Sequence, residues 1–201
     1  MQDDEFRKGV RDLLAENPGA YRRQINAPTG YVRIANVKGE EWQPGYISSG
    51  GGRWSNEGEA ASYLAERIET CAAELGLDVK AGNEDFVCEL WTIDKQFGTF
   101  DVSRMPVEYQ EAFFEDKGTA PGKWEKSRIL LQEVGQASGF EDLDAIFAPS
   151  ASGLATGIEG LCFVADPRKL GLVQVATGTY SDFLSGKYTL IDSSEKDVPK
   201  A

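Results

Sequence analysis

The sequence predicts a mixed α+β domain. Helical periodicities and β-rich runs alternate without the strict strand–helix–strand order of a doubly wound sheet. A chain of 201 residues with 41% hydrophobic and 10% aromatic content is also long enough to bury one substantial core.

Taken in order, Phe6, Val10, Leu13 and Leu14 fall on one helical face behind the candidate caps Asp3 and Asp4, and Asn17-Pro18-Gly19 stops that helix. Residues 1–20 therefore read as an N-terminal accessory helix. Residues 31–37 (YVRIANV) are rich in β-formers between Gly30 and Gly39 and predict a strand. Residues 43–52 predict a loop ending in Ser48-Ser49-Gly50-Gly51-Gly52. Such glycines permit close approach of a ligand, and equally describe a flexible surface loop. Residues 61–65 (ASYLA) suit a short strand. Ile68, Cys71, Ala72 and Leu75 then recur at helical spacing up to Gly76. Residues 85–94 (DFVCELWTID) form a second clear strand pattern, 107–114 a helical one, and 115–122 a polar loop. Leu130, Val134 and Ala137 set one side of a helix over 123–137, with Gly139 at its end. Short strands at 145–147, 160–165, 172–177 and 188–191 complete the pattern. The folded domain spans 21–192, and the polar tail 193–201 is expected to be disordered.

Charge narrows the function classes. Lys and Arg total 21 against 33 Asp and Glu, and the net charge of -12 disfavours nucleic-acid phosphates and anionic membrane surfaces. The acidic start leads into no apolar segment, so neither a secretory signal nor a membrane span is predicted and a cytoplasmic location is expected. Cys71, Cys88 and Cys162 show none of the spacings of metal or redox pairs and read as buried thiols. The sequence holds no histidine, which removes imidazole-activated nucleophiles and imidazole metal ligation. Catalysis must use carboxylate, hydroxyl, guanidinium or backbone groups; no metal site and no prosthetic group are expected.

The run Gly51-Gly52-Arg53-Trp54-Ser55-Asn56-Glu57-Gly58, then Ser62-Tyr63-Leu64-Ala65-Glu66 and Thr70-Cys71-Ala72-Ala73-Glu74, resembles the RES-domain family. Gly139-Phe140 followed by Ile146-Phe147-Ala148-Pro149-Ser150 is similar to the segment that carries the family serine, so Arg53, Glu74 and Ser150 supply arginine, glutamate and serine in the family's order. The resemblance covers about residues 31–165, with a poorly matching insertion over 78–123. It implies an ADP-ribosyltransferase-like fold and breakdown of NAD⁺ by water or inorganic phosphate. It also implies a toxin met by a cognate antitoxin or immunity protein. A basic residue common soon after the family serine is missing from Ser150-Ala151-Ser152, which leaves any phosphate contact there unassigned.

The same residues suit NAD⁺ on their own chemistry. Arg53, delivered by a glycine-rich run, offers a planar fork of donors for pyrophosphate oxygens, with backbone N–H groups of Gly51 and Gly52 nearby; Arg33 is a second candidate for that role. Glu74 lies at the border of the apolar stripe of its helix, where a carboxylate can stabilise an oxocarbenium-like ribose or orient the incoming acceptor. Tyr63 suits ring stacking or a ribose hydrogen bond, Trp54 a pocket wall, and Ser150 a hydrogen bond to the nicotinamide amide; Ser150 is not read as a nucleophile. The bland readings are a surface ion pair for Arg53, a solvated helix edge for Glu74, a core ring for Tyr63 or Trp54 and a turn serine for Ser150. Two other functions stay open: ADP-ribosyl transfer to a macromolecule, and a non-catalytic acidic binding or immunity module.

Overall fold

The computed structural model describes residues 1–26, 29–36, 48–52, 55–61, 63–74, 86–115, 124–137, 140, 145–149, 159–163 and 172–191. Helix α1 (Asp3–Glu16) forms on the stripe of Phe6, Val10 and Leu14, all three buried. Its N-cap is Gln2, which makes no side-chain cap. Asp3 and Asp4, expected as caps, instead sit inside the first turn with Glu5, where their charges face the positive end of the helix dipole. The chain leaves the helix at Asn17 and passes through a 3-10 turn, Pro18–Tyr21.

Eleven strands follow among the described residues: β1 (Arg22–Ile25), β2 (Thr29–Asn36), β3 (Ser48–Gly52), β4 (Ser55–Ala61), β5 (Tyr63–Ala65), β6 (Phe86–Ile93), β7 (Phe97–Asp101), β8 (Ala145–Pro149), β9 (Glu159–Phe163), β10 (Leu172–Gly178) and β11 (Thr189–Leu190). Between them stand α2 (Ile68–Glu74), α3 (Val107–Glu115), α4 (Glu125–Gln136) and α5 (Tyr180–Ser185). Nine strands form one sheet in the order β1-β7-β8-β9-β5-β2-β6-β10-β11, and β3 pairs β4 in a separate ribbon. Only β7 and β8 run parallel; the other described pairs are antiparallel. The α+β class is thus observed, with strand order far from a regular crossover pattern.

Several expectations are corrected. Ser48–Gly52, expected as the end of a loop, is strand β3, because pairing with β4 overrides the low strand propensity of three glycines. Strand β1 was hidden by its two arginines and one glutamine, and β7 by Gly98 and Asp101, which break the alternation. Helix α5 is too short for a periodicity to show; a capping box of Thr179 and Asp182 starts it and Gly186, at φ 70°, ends it. The predicted tail, 193–201, and residues 116–122 of the loop predicted over 115–122 lie outside the described residues, while Glu115 is the last residue of α3.

The sheet sorts its side chains by face. On one face, Phe100, Ile146 and Ala148 meet Phe6 and Val10 of α1, Phe113 of α3 and Leu130 and Val134 of α4. Further along that face, Val32, Ile34, Ala65 and Cys88 lie under Ile68, Cys71 and Ala72 of α2 and beside Tyr180 and Phe183 of α5. On the other face the buried cluster is made of strand residues alone: Ile25, Tyr31, Leu64, Ile93, Phe97, Ala145, Phe147 and Leu172, with Trp91 beside them. Among the described residues, helices on one side and strands alone on the other is the layering of an α+β sheet.

One buried charge locks α1 to α4. Glu133 receives Arg7 at 2.7 Å and Arg11 at 2.6 Å, and its side chain is 3% exposed. The Arg11 hydrogen bond, seconded by Arg7, holds the Glu133 carboxyl below its ordinary range against the opposing effect of burial.

Candidate active site

The ribbon β3–β4 carries Gly51 and Gly52 at the end of its first strand, where Gly52 stands opposite Ser55. Arg53 and Trp54, between the two strands, lie outside the described residues, as does Ser150, which follows Pro149 at the end of β8. Glu74 is the last residue of α2; its side chain is outside the described set.

Arg33 and Tyr63 are both placed, on neighbouring strands and on opposite faces. Val32 of β2 and Ala65 of β5 are direct partners on the α2 side. Alternation then puts Tyr63 on that side and Arg33 on the strand-only side. Tyr63 is 36% exposed, so it is not the core ring that its bland reading supposed. Helix α2 lies over the same face as Tyr63, its buried residues Ile68, Cys71 and Ala72 turned to the sheet as the periodicity predicted. Tyr63 and the C-terminal turn of α2 are therefore brought to one side, and Arg33 is not with them.

Arg33 has a neighbour that the sequence reading missed. Directly opposite it on β6 stands Glu89, which is fully buried. Thr177 of β10 flanks Glu89 on its other side, and the Trp91 indole N–H donates to Glu89 Oε2 at 3.1 Å. A carboxylate sealed from water needs compensating donors, and the Trp91 indole N–H is one of them. The signal was available: in FVCELWTI the one ionisable carboxylate interrupts an otherwise apolar and aromatic run.

Cys88, on the helix-bearing face, offers no nucleophile. Burial first, then the negative charges of Asp182 and Glu89, push its thiol up to about 12, so it is protonated at neutral pH.

A second charged group, Asp101, sits at the far end of the strand-only face, 2% exposed, with Arg104 at 3.2 Å and Arg23 at 3.8 Å. Arg23 also lies over the Phe147 ring, 3.9 Å from its centroid. These contacts tie β1 to β7 and β8 and are structural.

With the geometry in place, comparison with protein families decides the kinship. The family model for the RES domain matches residues 32–181. This chain belongs to the RES-domain family. The RES domain thus begins within β2, one residue before Arg33, and includes Gly51, Gly52, Arg53, Trp54, Tyr63, Glu74 and Ser150. RES domains are associated with NAD⁺-related toxin activity. Helix α1 and strand β1 precede the matched interval, yet α1 fills the first core and β1 closes one edge of the RES sheet. No curated protein matches the sequence. Among the described residues, no helix is long and apolar enough to cross a membrane.

Proposed function

We propose that this RES domain cleaves the nicotinamide–ribose bond of NAD⁺, as a glycohydrolase or phosphorylase, and acts as a cytoplasmic toxin restrained by a cognate antitoxin or immunity protein. The observation that carries the reading is the RES match over 32–181, which contains each residue whose chemistry suits NAD⁺. In the proposed reaction the bond between ribose C1′ and the pyridinium nitrogen breaks, and its electron pair leaves with nicotinamide as a neutral base. An oxygen of water or phosphate then bonds C1′ and gives its proton to solvent. Glu74 stabilises the positive charge that develops on the ribose, and Tyr63, exposed on the same side of the sheet, stacks on or hydrogen-bonds the sugar or ring. Arg53, with the backbone of Gly51 and Gly52, binds pyrophosphate oxygens; Trp54 walls the pocket and Ser150 holds the nicotinamide amide. Arg33, on the strand-only face of the sheet, is the second candidate for the pyrophosphate.

Purified protein incubated with NAD⁺, with and without phosphate, is expected to release nicotinamide. Arg53→Ala and Glu74→Ala are expected to lose that activity by about a hundredfold or more while keeping the wild-type Tm. Phosphate dependence names the acceptor. NAD⁺ left intact by folded wild-type protein overturns the reading and points to an acidic binding module; mass added to a protein or nucleic acid points to ADP-ribosyl transfer.

A further inference from the structure

Helix α2 carries one side chain that folding does not explain. Thr70 is 1% exposed, and among the described residues its hydroxyl makes no hydrogen bond. The acceptor that a helical threonine ordinarily uses is the carbonyl four residues back, here that of Glu66, and Thr70 does not use it. A hydroxyl sealed from water without a partner destabilises the folded state, and valine fills nearly the same shape without the polar group. Packing on the sheet does not call for a residue at this position either. Ile68, Cys71 and Ala72 form the stripe of α2 that meets β2, β5 and β6, and at about 100° per residue Thr70 stands about 140° from its centre. Position 74 stands only about 40° from Thr70, one turn further along the same side.

We propose that Thr70 is the positioning residue for Glu74: with NAD⁺ bound, its hydroxyl donates to the Glu74 carboxylate and holds it toward the ribose carbon on which positive charge develops. A sealed hydroxyl cannot itself meet the ligand, so it acts through a neighbour. Helical side chains lean toward the N-terminus of their helix, so a carboxylate at i+4 reaches back to a hydroxyl at i. Hydrogen bonds among catalytic groups tighten as substrate binds, which is when this one is required. The inference rests on the proposed function for the role of Glu74.

Thr70→Val removes the hydroxyl alone. In ligand-free protein its Tm is expected to equal or exceed that of the wild type; a lower Tm with wild-type kcat marks a structural hydroxyl and overturns the inference. In NAD⁺ turnover kcat is expected to fall about tenfold with KM within about twofold, and the acid limb of the kcat profile to move to higher pH as the carboxylate loses a donor. Thr70→Ser, which keeps the hydroxyl, is expected to recover most of kcat, and Thr70→Val/Glu74→Ala to be no slower than Glu74→Ala alone. An unmoved acid limb, or multiplying losses in the double variant, overturn the proposal. If the valine variant does not fold, Thr70→Ala removes the same hydroxyl, and wild-type kcat in that variant overturns it equally. Wild-type protein that leaves NAD⁺ intact defeats the proposed function and this inference with it; active wild-type protein beside an equally active Thr70→Val defeats the inference alone.

Discussion

Glu133 and Cys88 show how residue chemistry is decided by neighbours. Glu133 is buried on α4 and is answered by two guanidinium groups from another helix. Glu133→Gln keeps the shape, removes the charge and leaves Arg7 and Arg11 without a countercharge. Because Arg11 is 59% exposed, the loss at pH 7 is discounted to roughly 2 kcal/mol, read from urea unfolding. The folded carboxyl lies below its ordinary 4.5, so its stabilisation is present above that value and fades as pH falls through the folded pKa. The gap between wild type and variant is therefore expected to close in acid; a gap independent of pH would show that the charge is not what matters. Cys88 is the opposite case, a group made inert by its surroundings. Native protein at pH 8 is expected to leave it unlabelled by a thiol reagent, whereas urea-unfolded protein reacts.

At the scale of elements, α5 is six residues that hold only because both ends are finished. Thr179 accepts from the Asp182 N–H at 3.1 Å, and Asp182 accepts in return from the Thr179 N–H at 2.9 Å. Thr179→Ala is expected to cost about 1 kcal/mol. Since Phe183 and Tyr180 of α5 lie against the Cys88 cluster, the same variant should speed Cys88 labelling; unchanged labelling would mean that α5 does not gate that thiol. Helix α1 makes a different demand. A Cβ at Gly9 would fall on the Tyr109 hydroxyl, so α1 approaches α3 closely there. Gly9→Ala, which raises helix propensity, is nonetheless expected to destabilise by about 1–3 kcal/mol through overpacking. Tyr109→Phe in the alanine background should return part of the loss; a stabilising Gly9→Ala would show that the ring moves aside freely.

For the whole molecule, the titrating groups bound a window of stability. Glu133 and Asp182 are both held below their ordinary values, by Arg11 and by Thr179 respectively, so acid removes their contributions. Cys88, Tyr21, Tyr109 and Tyr180 are all raised, chiefly by burial. A raised pKa stabilises below the unfolded value, and the stabilisation is lost as the pH climbs towards the folded one. Stability should thus hold a plateau between about pH 5 and 9, falling on the alkaline side through the range from the ordinary thiol value of 9.0 towards 12. Chemical unfolding at intervals of one pH unit checks this, and a maximum outside the plateau would contradict it.

The sequence by itself determined the class of fold, the helix faces and most strand positions, because burial imposes its period on neighbouring residues: Phe6, Val10 and Leu14 on α1, and Ile68, Cys71 and Ala72 on α2, are legible as stripes. It also carried the RES kinship, since Gly51, Arg53, Tyr63, Glu74 and Ser150 stand close enough in sequence order to be recognised as a pattern. Elements whose stability comes from elsewhere were illegible: β1 lives on pairing with β7, β3 on pairing with β4, and α5 on its caps, none of which leaves an apolar period. Only the tertiary structure decided which faces Arg33 and Tyr63 occupy. Register separates Arg33 from Tyr63 across the sheet and sets Glu89 of β6 opposite Arg33, 56 residues away, and a pairing between distant strands is written in hydrogen-bond register rather than in any local run of residues.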